Sequence, residues 1–182
     1  DKLLSNSNRE DLNFVGAHPM AGAEVGGFIN ARADLFSESV CAITPGITSS
    51  ENSEAVVYKF WEELGCRCIK IDASMHDEMV AKVSHLPHLI SSALAITSLD
   101  DKSDDVKLAG PGIKGMTRVA LGSPDMWAEI LLQNKDSVEK VLSEHIDSIS
   151  EVLNHLKDGQ HEEILKFLNK ARENRINCFP SD

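Results

Sequence analysis

The chain has little of what marks several large classes of protein. Of its 182 residues only 5% are aromatic, with one tyrosine and two tryptophans. Bases are outnumbered, 18 Lys and Arg against 29 Asp and Glu, for a net charge of −11. That balance argues against a nucleic-acid or anionic-membrane surface, and it obliges any anionic ligand to meet a local cluster of cations. No uninterrupted apolar run approaches the roughly 20 residues of a membrane span, so no membrane partner is expected. The polar residues 1–11 lack the apolar segment of a signal peptide. The four cysteines, Cys41, Cys66, Cys68 and Cys178, form neither a zinc spacing nor a Cys-x-x-Cys pair, so no metal site is expected. Buried, reduced thiols in a cytoplasmic protein are the expectation. Internal repeats and low-complexity tracts are also missing; the acidic residues 100–105 read as a solvated loop.

What is present is enough for a core: 42% hydrophobic residues at a mean hydropathy of −0.19. Residues 1–72 read as the end of an α/β domain, residues 73–182 as an all-helical one. In the first part, Phe14-Val15-Gly16-Ala17 is a short apolar run ending at His18-Pro19, a buried strand by pattern. Val40-Cys41-Ala42-Ile43 is a second strand, stopped by Thr44-Pro45-Gly46. Residues 53–64 follow as a helix with Val56, Val57, Phe60, Trp61 and Leu64 as its stripe, and Gly65 closes it. Residues 66–71 make a third strand, on which Cys66 and Cys68 share a side. Strand, strand, helix, strand is too little for a doubly wound sheet, but it matches the last part of one.

The second part is organised around residues 76–97. Met79, Val83, Ile90 and Leu94 recur at helical spacing and call for a core. Asp77, Ser84 and His88 fall on another stripe, and Pro87 predicts a kink between them. A helix from about Lys114 to Leu121 comes next. Ser123-Pro124-Asp125 then opens another through Trp127, Ile130 and Leu131. Residues 137–157 carry Val138, Val141, Leu142, His145, Ile146, Ile149, Val152, Leu153 and Leu156 at near-heptad spacing. A last helix, residues 161–176, is expected to turn Ile164, Leu165, Leu168 and Ala171 inward. Stripes this wide suggest that the helical part also buries a second subunit.

Two stretches carry chemistry. His18 lies where a parallel strand would end, the edge at which α/β sheets bind ligands, and a histidine there can accept a proton near neutral pH. Gly110-Pro111-Gly112-Ile113-Lys114-Gly115 has the literal spacing of a dinucleotide loop. The acidic, polar residues before it are no buried strand, so that reading fails. Lys114 and Arg118, four apart at an expected helix start, form instead a candidate anion site, with arginine able to grip a carboxylate through two bonds.

Taken together, Phe14 through Gly22, His76-Asp77, Ser84-His85-Leu86-Pro87-His88, Lys114 through Arg118 and Pro124 through Asn134 resemble, in order and spacing, the prephenate and arogenate dehydrogenases. The resemblance extends over about residues 13–157. It implies an NAD- or NADP-binding Rossmann domain followed by a helical domain that forms a homodimer. It also implies oxidative decarboxylation of prephenate to 4-hydroxyphenylpyruvate in tyrosine biosynthesis, or the corresponding reaction of arogenate. His18 matches the catalytic histidine, which draws the proton from the ring hydroxyl. Arg118 matches the arginine on a substrate carboxylate, with Lys114 beside it. Ser84 and His88 match pocket residues that in some members respond to bound tyrosine, a feedback inhibitor. His76 and Trp127 match further pocket positions, His76 near the subunit interface, and Glu24 matches an acid at the pocket mouth. The Gly-rich cofactor loop of such enzymes lies upstream of the matched region, so this chain is expected to be a portion of an active parent and inactive by itself. A non-catalytic aromatic-ligand-sensing or dimerisation module is the alternative, and another dehydrogenase of the same plan a weaker one.

Overall fold

The computed structural model describes residues 12–22, 31–100 and 104–180. Its compact units are residues 1–138 and 139–182. The first holds a three-stranded sheet: β1 (Val15–Pro19), β2 (Val40–Pro45) and β3 (Arg67–Lys70), in that order. Helix α1 (Glu51–Glu63) connects β2 to β3, which run parallel, with Cys41 opposite Cys68. β1 departs from expectation, running antiparallel to β2 with His18 opposite Ala42. His18 is thus the fourth residue of a five-residue strand, not a group beyond a parallel strand's carboxyl end.

Burial follows the apolar pattern of the strands. Cys41, Ile43 and Cys66 form the core, packed by Val15, Phe36, Val57, Tyr58, Trp61 and Cys68. Cys66 and Cys68 therefore do meet one core, as their spacing requires. Helix α1 gives it only Val57, Tyr58 and Trp61, while Val56, Phe60 and Leu64 of its stripe stay exposed. Ser50 caps α1: its hydroxyl accepts from the Ser53 backbone N–H, and its own N–H is taken by the Ser53 side chain. Gly65 ends the connection at φ +90, a left-handed conformation that favours glycine. A Cβ there would also stand 3.2 Å from the Ser37 Cα.

After β3 the chain enters one long helical run: α2 (Ala73–Val80), a π-helical turn (Ala81–His85) and α3 (Leu86–Ser98). Pro87 explains the turn. It has no N–H, and its ring would crowd the carbonyl four residues back. The backbone widens instead, so that the Leu86 N–H reaches back five residues to the Ala81 carbonyl. The widened turn leaves His85, His88 and Ser91 buried, while Met79 and Val83, expected inside, are exposed. By length and composition the run 73–98 could cross a membrane, although no single apolar stretch in it does so. In the fold it packs against β2 and the later helices of the same unit.

A 3-10 turn (Asp104–Leu108), α4 (Pro111–Thr117), a second 3-10 turn (Arg118–Leu121) and α5 (Pro124–Gln133) complete this unit, with the start of α6 (Lys135–Lys157). The second unit comprises the rest of α6 and α7 (His161–Cys178), separated by Gly159 at φ +65. Here the apolar faces are open, including the α7 face expected inward. Ile146, Ile149, Leu153 and Leu156 of α6 and Leu165 and Leu168 of α7 are exposed, as is Ala171. Two helices cannot enclose stripes of that width by themselves.

All four cysteines are free; Cys178, contrary to expectation, is exposed. Desolvation, reinforced by the neighbouring Cys68 and Cys66 thiols, pushes the Cys41 thiol up to about 11. At pH 8 only about one Cys41 in a thousand is then thiolate. An aromatic disulfide reagent should therefore modify Cys178 rapidly and Cys41 only on unfolding. Equal rates at all four thiols would contradict this packing.

Candidate active site

The site lies within the first unit and is built from the helical run upward. His76 sits one turn into α2, above the strand that carries His18. The His18 Nδ1 and the His76 Nε2 are 2.8 Å apart, with ring centroids at 5.0 Å and planes at 65°. His76 turns its other nitrogen, Nδ1, to the Asp77 carboxylate at 2.9 Å. Asp77 is held in turn by Asn134, between α5 and α6, whose side-chain N–H donates to the Asp77 backbone carbonyl at 2.7 Å. The same amide nitrogen lies 3.3 Å from the His85 Nδ1. The result is a continuous polar chain from β1 through α2 to the π turn.

Two cavities adjoin it. One, of about 280 Å³, is lined by Phe14, Gly16, Ala17, His18, Thr44, Ala73, His76 and Asp77. The other, of about 290 Å³, has His18, His76, Asp77, His85 and Asn134 in its wall. Gly16 keeps the first open on the sheet side, since a Cβ there would fall 2.4 Å from the Thr44 hydroxyl. Behind His85, and lining neither cavity, lies an aromatic cluster. The His85 ring meets Trp127 edge-on at 6.2 Å, and His88 stacks flat on Trp127 at 3.7 Å and 9°. Gly122 makes that stack possible: a Cβ would stand 2.5 Å from the Trp127 Nε1 and 3.3 Å from the His88 Cε1. The His88 Nδ1 and the Ser91 hydroxyl are buried without a hydrogen-bond partner among the described residues.

Burial sets the electrostatics. Desolvation first, then the charge of His76, holds His18 below the usual histidine range. His85 is lowered by desolvation and then by His18 and His76, against the pull of Asp77. His88 is lowered by desolvation, opposed by the Val119 backbone. His18 and His85, lowered in the cavity wall, can accept a proton without first having to lose one. Among the described residues no group of three or more His, Cys, Asp or Glu could hold a metal ion.

The residues singled out from the sequence do not all gather. His18 and His76 are bonded, and Trp127 and His88 are stacked and joined to them through His85. Ser84 is half-buried and lines neither cavity. Lys114 and Arg118 are both exposed. Lys114 lies within α4, but Arg118 follows its last residue and opens the 3-10 turn, so the two do not share a helix start. Seven residues of helix end too soon, and Arg118 stands at the negative end of the dipole. Gly110, Gly112 and Gly115 fall at and within α4 with no strand before them, so the described residues supply no dinucleotide loop. Glu24 lies outside the described residues. Sequence reasoning gave no role to His85 or Asn134; their contacts depend on the π turn, which only the Pro87 signal foreshadowed.

A partial sheet bearing His18, joined to a helical run bearing His76 and His85, has the plan of a portion of a two-domain dehydrogenase. The family models for the nucleotide-binding domain and the dimerization domain of prephenate dehydrogenase match residues 2–70 and 72–170. The chain belongs to the prephenate dehydrogenase family. It is 26% identical to the prephenate dehydrogenase of Bacillus subtilis over 89% of this chain and 44% of that protein. With the cyclohexadienyl dehydrogenase of Zymomonas mobilis the identity is 32%, over 71% of this chain and 45% of that protein. The prephenate dehydrogenase of A. aeolicus, solved with hydroxyphenyl propionate and NAD+, superposes with a TM-score of 0.82 at 29% identity, covering 91% of this chain and 59% of that one. The chain thus spans a little under half the length of these curated relatives.

The lowered histidines have a consequence for stability. A base whose folded pKa lies below its unfolded one takes up protons more readily when unfolded, so stability is full above the unfolded value and falls as pH drops through the folded one. Melting temperature should fall between about pH 7 and about pH 5.5, and H85Q should lose less than the parent over that window. An equal loss in both proteins would contradict a neutral, buried His85.

Proposed function

We propose that this chain forms the substrate-facing part of a prephenate dehydrogenase. The complete enzyme oxidises prephenate, or its amino counterpart arogenate, with loss of carbon dioxide. The observation that carries the reading is His18: a strand histidine held below the usual range, beside a cavity of about 280 Å³ and, among the described residues, hydrogen-bonded through one ring nitrogen only. Its role is to take the proton of the ring hydroxyl as that carbon becomes a carbonyl. When carbon dioxide leaves and the ring becomes aromatic, the same nitrogen returns the proton to the ring oxygen. Bound NAD or NADP, held by residues outside those described here, supplies the hydride acceptor.

The chain's other residues bind and orient. Trp127, stacked on His88, offers a flat wall to a six-membered ring. Arg118, with Lys114 beside it, is the carboxylate anchor, the positive contribution that a chain at −11 must concentrate locally. Ser84, His76 and Glu24 complete the substrate pocket, and tyrosine, which shares the product's ring, is the feedback ligand for it. Residues 1–72 are the end of the nucleotide-binding domain, residues 73–182 the helical substrate-binding and dimerisation domain. The exposed apolar stripes of α6 and α7 are the homodimer surface, and the enzyme works in the cytoplasm.

In the complete enzyme H18N should lower kcat about a thousandfold, with cofactor affinity intact. R118A should raise KM for prephenate at least about tenfold and leave KM for NAD near its original value. Equal effects of R118A on both substrates would remove Arg118 from the anion site. Assaying prephenate and arogenate side by side identifies the preferred acid. Sedimentation at micromolar concentration should give a dimer, and a monomer would contradict the role given to the α6 and α7 stripes.

A further inference from the structure

We infer that Asp77 sets the tautomer of His18 through His76, and that Asn134 holds Asp77 in place for that purpose. This inference rests on the reading of His18 as the base, and it assigns to Asp77 and Asn134 a positioning role in that reaction.

The argument is one of donors and acceptors. A carboxylate only accepts, so the 2.9 Å contact to Asp77 requires the proton of neutral His76 to be on Nδ1. Its Nε2 then carries a lone pair. The 2.8 Å contact on that side requires His18 to donate from its own Nδ1. The remaining nitrogen of His18, Nε2, is left with its lone pair and has no hydrogen-bond partner among the described residues. Free histidine prefers the opposite arrangement, with the proton on Nε2, which would leave no acceptor for a substrate hydroxyl at that atom. The relay reverses the preference by two hydrogen bonds in series.

The groups around His18 have consistent roles. From α2 come His76 and Asp77, from the π turn His85, and from the α5–α6 junction Gln133 and Asn134; Thr44 of β2 adjoins on the sheet side. Asp77 is the only acid among these groups of the described residues. The Asn134 amide donates to the Asp77 carbonyl, and its second hydrogen points the His85 Nδ1 lone pair toward it. His85 is thereby an acceptor at Nδ1 and does not compete with His76 for Asp77. Asn134 ties the Asp77 backbone to the next helix, fixing where the carboxylate stands.

When the O–H bond of the substrate breaks, an N–H bond forms at His18 Nε2 and the imidazole becomes a cation. Its Nδ1–H remains bonded to His76, and the Asp77 carboxylate faces the new charge through one ring. No proton needs to pass along the relay. This is an orienting and charge-matching function, of the kind an aspartate serves behind a catalytic histidine.

D77N is the diagnostic change, because an amide can donate where the carboxylate could only accept. Donation to the His76 Nδ1 would drive the His76 proton to Nε2, the His18 Nδ1 would become an acceptor, and the His18 Nε2 would carry the proton. The Asp77 side chain is 56% exposed, so the substitution leaves the core intact. Two-bond 1H–15N correlation on the complete enzyme labelled with [15N]histidine reads the tautomer directly, without substrate. The parent above neutral pH should show His18 protonated at Nδ1 and bare at Nε2, and D77N the reverse. In the same enzyme D77N should lower kcat about a hundredfold and shift the limb of the pH profile that reports the base. KM for prephenate should change less than about threefold, and D77E should restore most of kcat. Should D77N rearrange the start of α2, H76Q serves as a second disruption of the relay with the same expected loss of kcat. A parent His18 protonated at Nε2, or a D77N enzyme with unchanged tautomer and kcat, overturns the inference. Tautomer reversal in a parent that turns over neither prephenate nor arogenate would uphold the relay and refute the proposed reaction instead.

Discussion

One hydrogen bond, between the imidazoles of His18 and His76, organises the rest of the site. It joins a strand to a helix 58 residues later in sequence and closes the sheet side of the cavity against the helical side. Both partners are confined: His18 by the ladder between β1 and β2, His76 by the first turns of α2 and by Asp77. Because each ring nitrogen at that contact must have an opposite role, the bond carries chemical information as well as position. Everything that could accept a proton from a bound ligand depends on which of the two donates.

The second constraint is backbone geometry. A regular α-helix through Pro87 would be short of a hydrogen bond and would crowd a carbonyl; the π turn at Ala81–His85 removes the clash and changes the facing of all that follows. His85 and His88 become buried where a simple helical wheel puts only His88 with Ser84. Imidazoles buried in an apolar helix lose hydration, and that loss is the leading reason His85 and His88 titrate low; partial desolvation on the strand does the same for the more exposed His18. Sheet and helix thus solve different problems: the sheet fixes His18, and the widened helix buries His85 and His88.

Much of this was readable from residue order alone. The apolar runs around Val15 and Val40, the Gly65 stop and the Ser123-Pro124-Asp125 start all mark real element boundaries, because each depends on local backbone chemistry. The interest of His18, His88 and Trp127 comes from motif resemblance; His18 pairs with His76, and His88 and Trp127 form a separate stack beside His85. What could not be read was long-range or register-dependent. The antiparallel pairing of β1 with β2 is a long-range choice that a short apolar run does not encode. Arg118 and Lys114 were assigned to one helix start because their four-residue spacing is helical; the early end of α4 at Thr117 separates them into different elements. Periodicity also misplaced Met79, Val83 and the α7 face expected inward, since an apolar face announces that it will be covered without saying by what.

The central claim is that the Nε2 of His18 is the atom presented to the ring hydroxyl of the substrate. A crystal structure of the complete enzyme with 4-hydroxyphenylpyruvate bound addresses it most directly. The account predicts the phenolic oxygen at hydrogen-bond distance, about 2.6–3.2 Å, from His18 Nε2, with Nδ1 still bonded to His76. A phenolic oxygen bound away from His18, or bonded to its Nδ1 with the His76 contact broken, would contradict it.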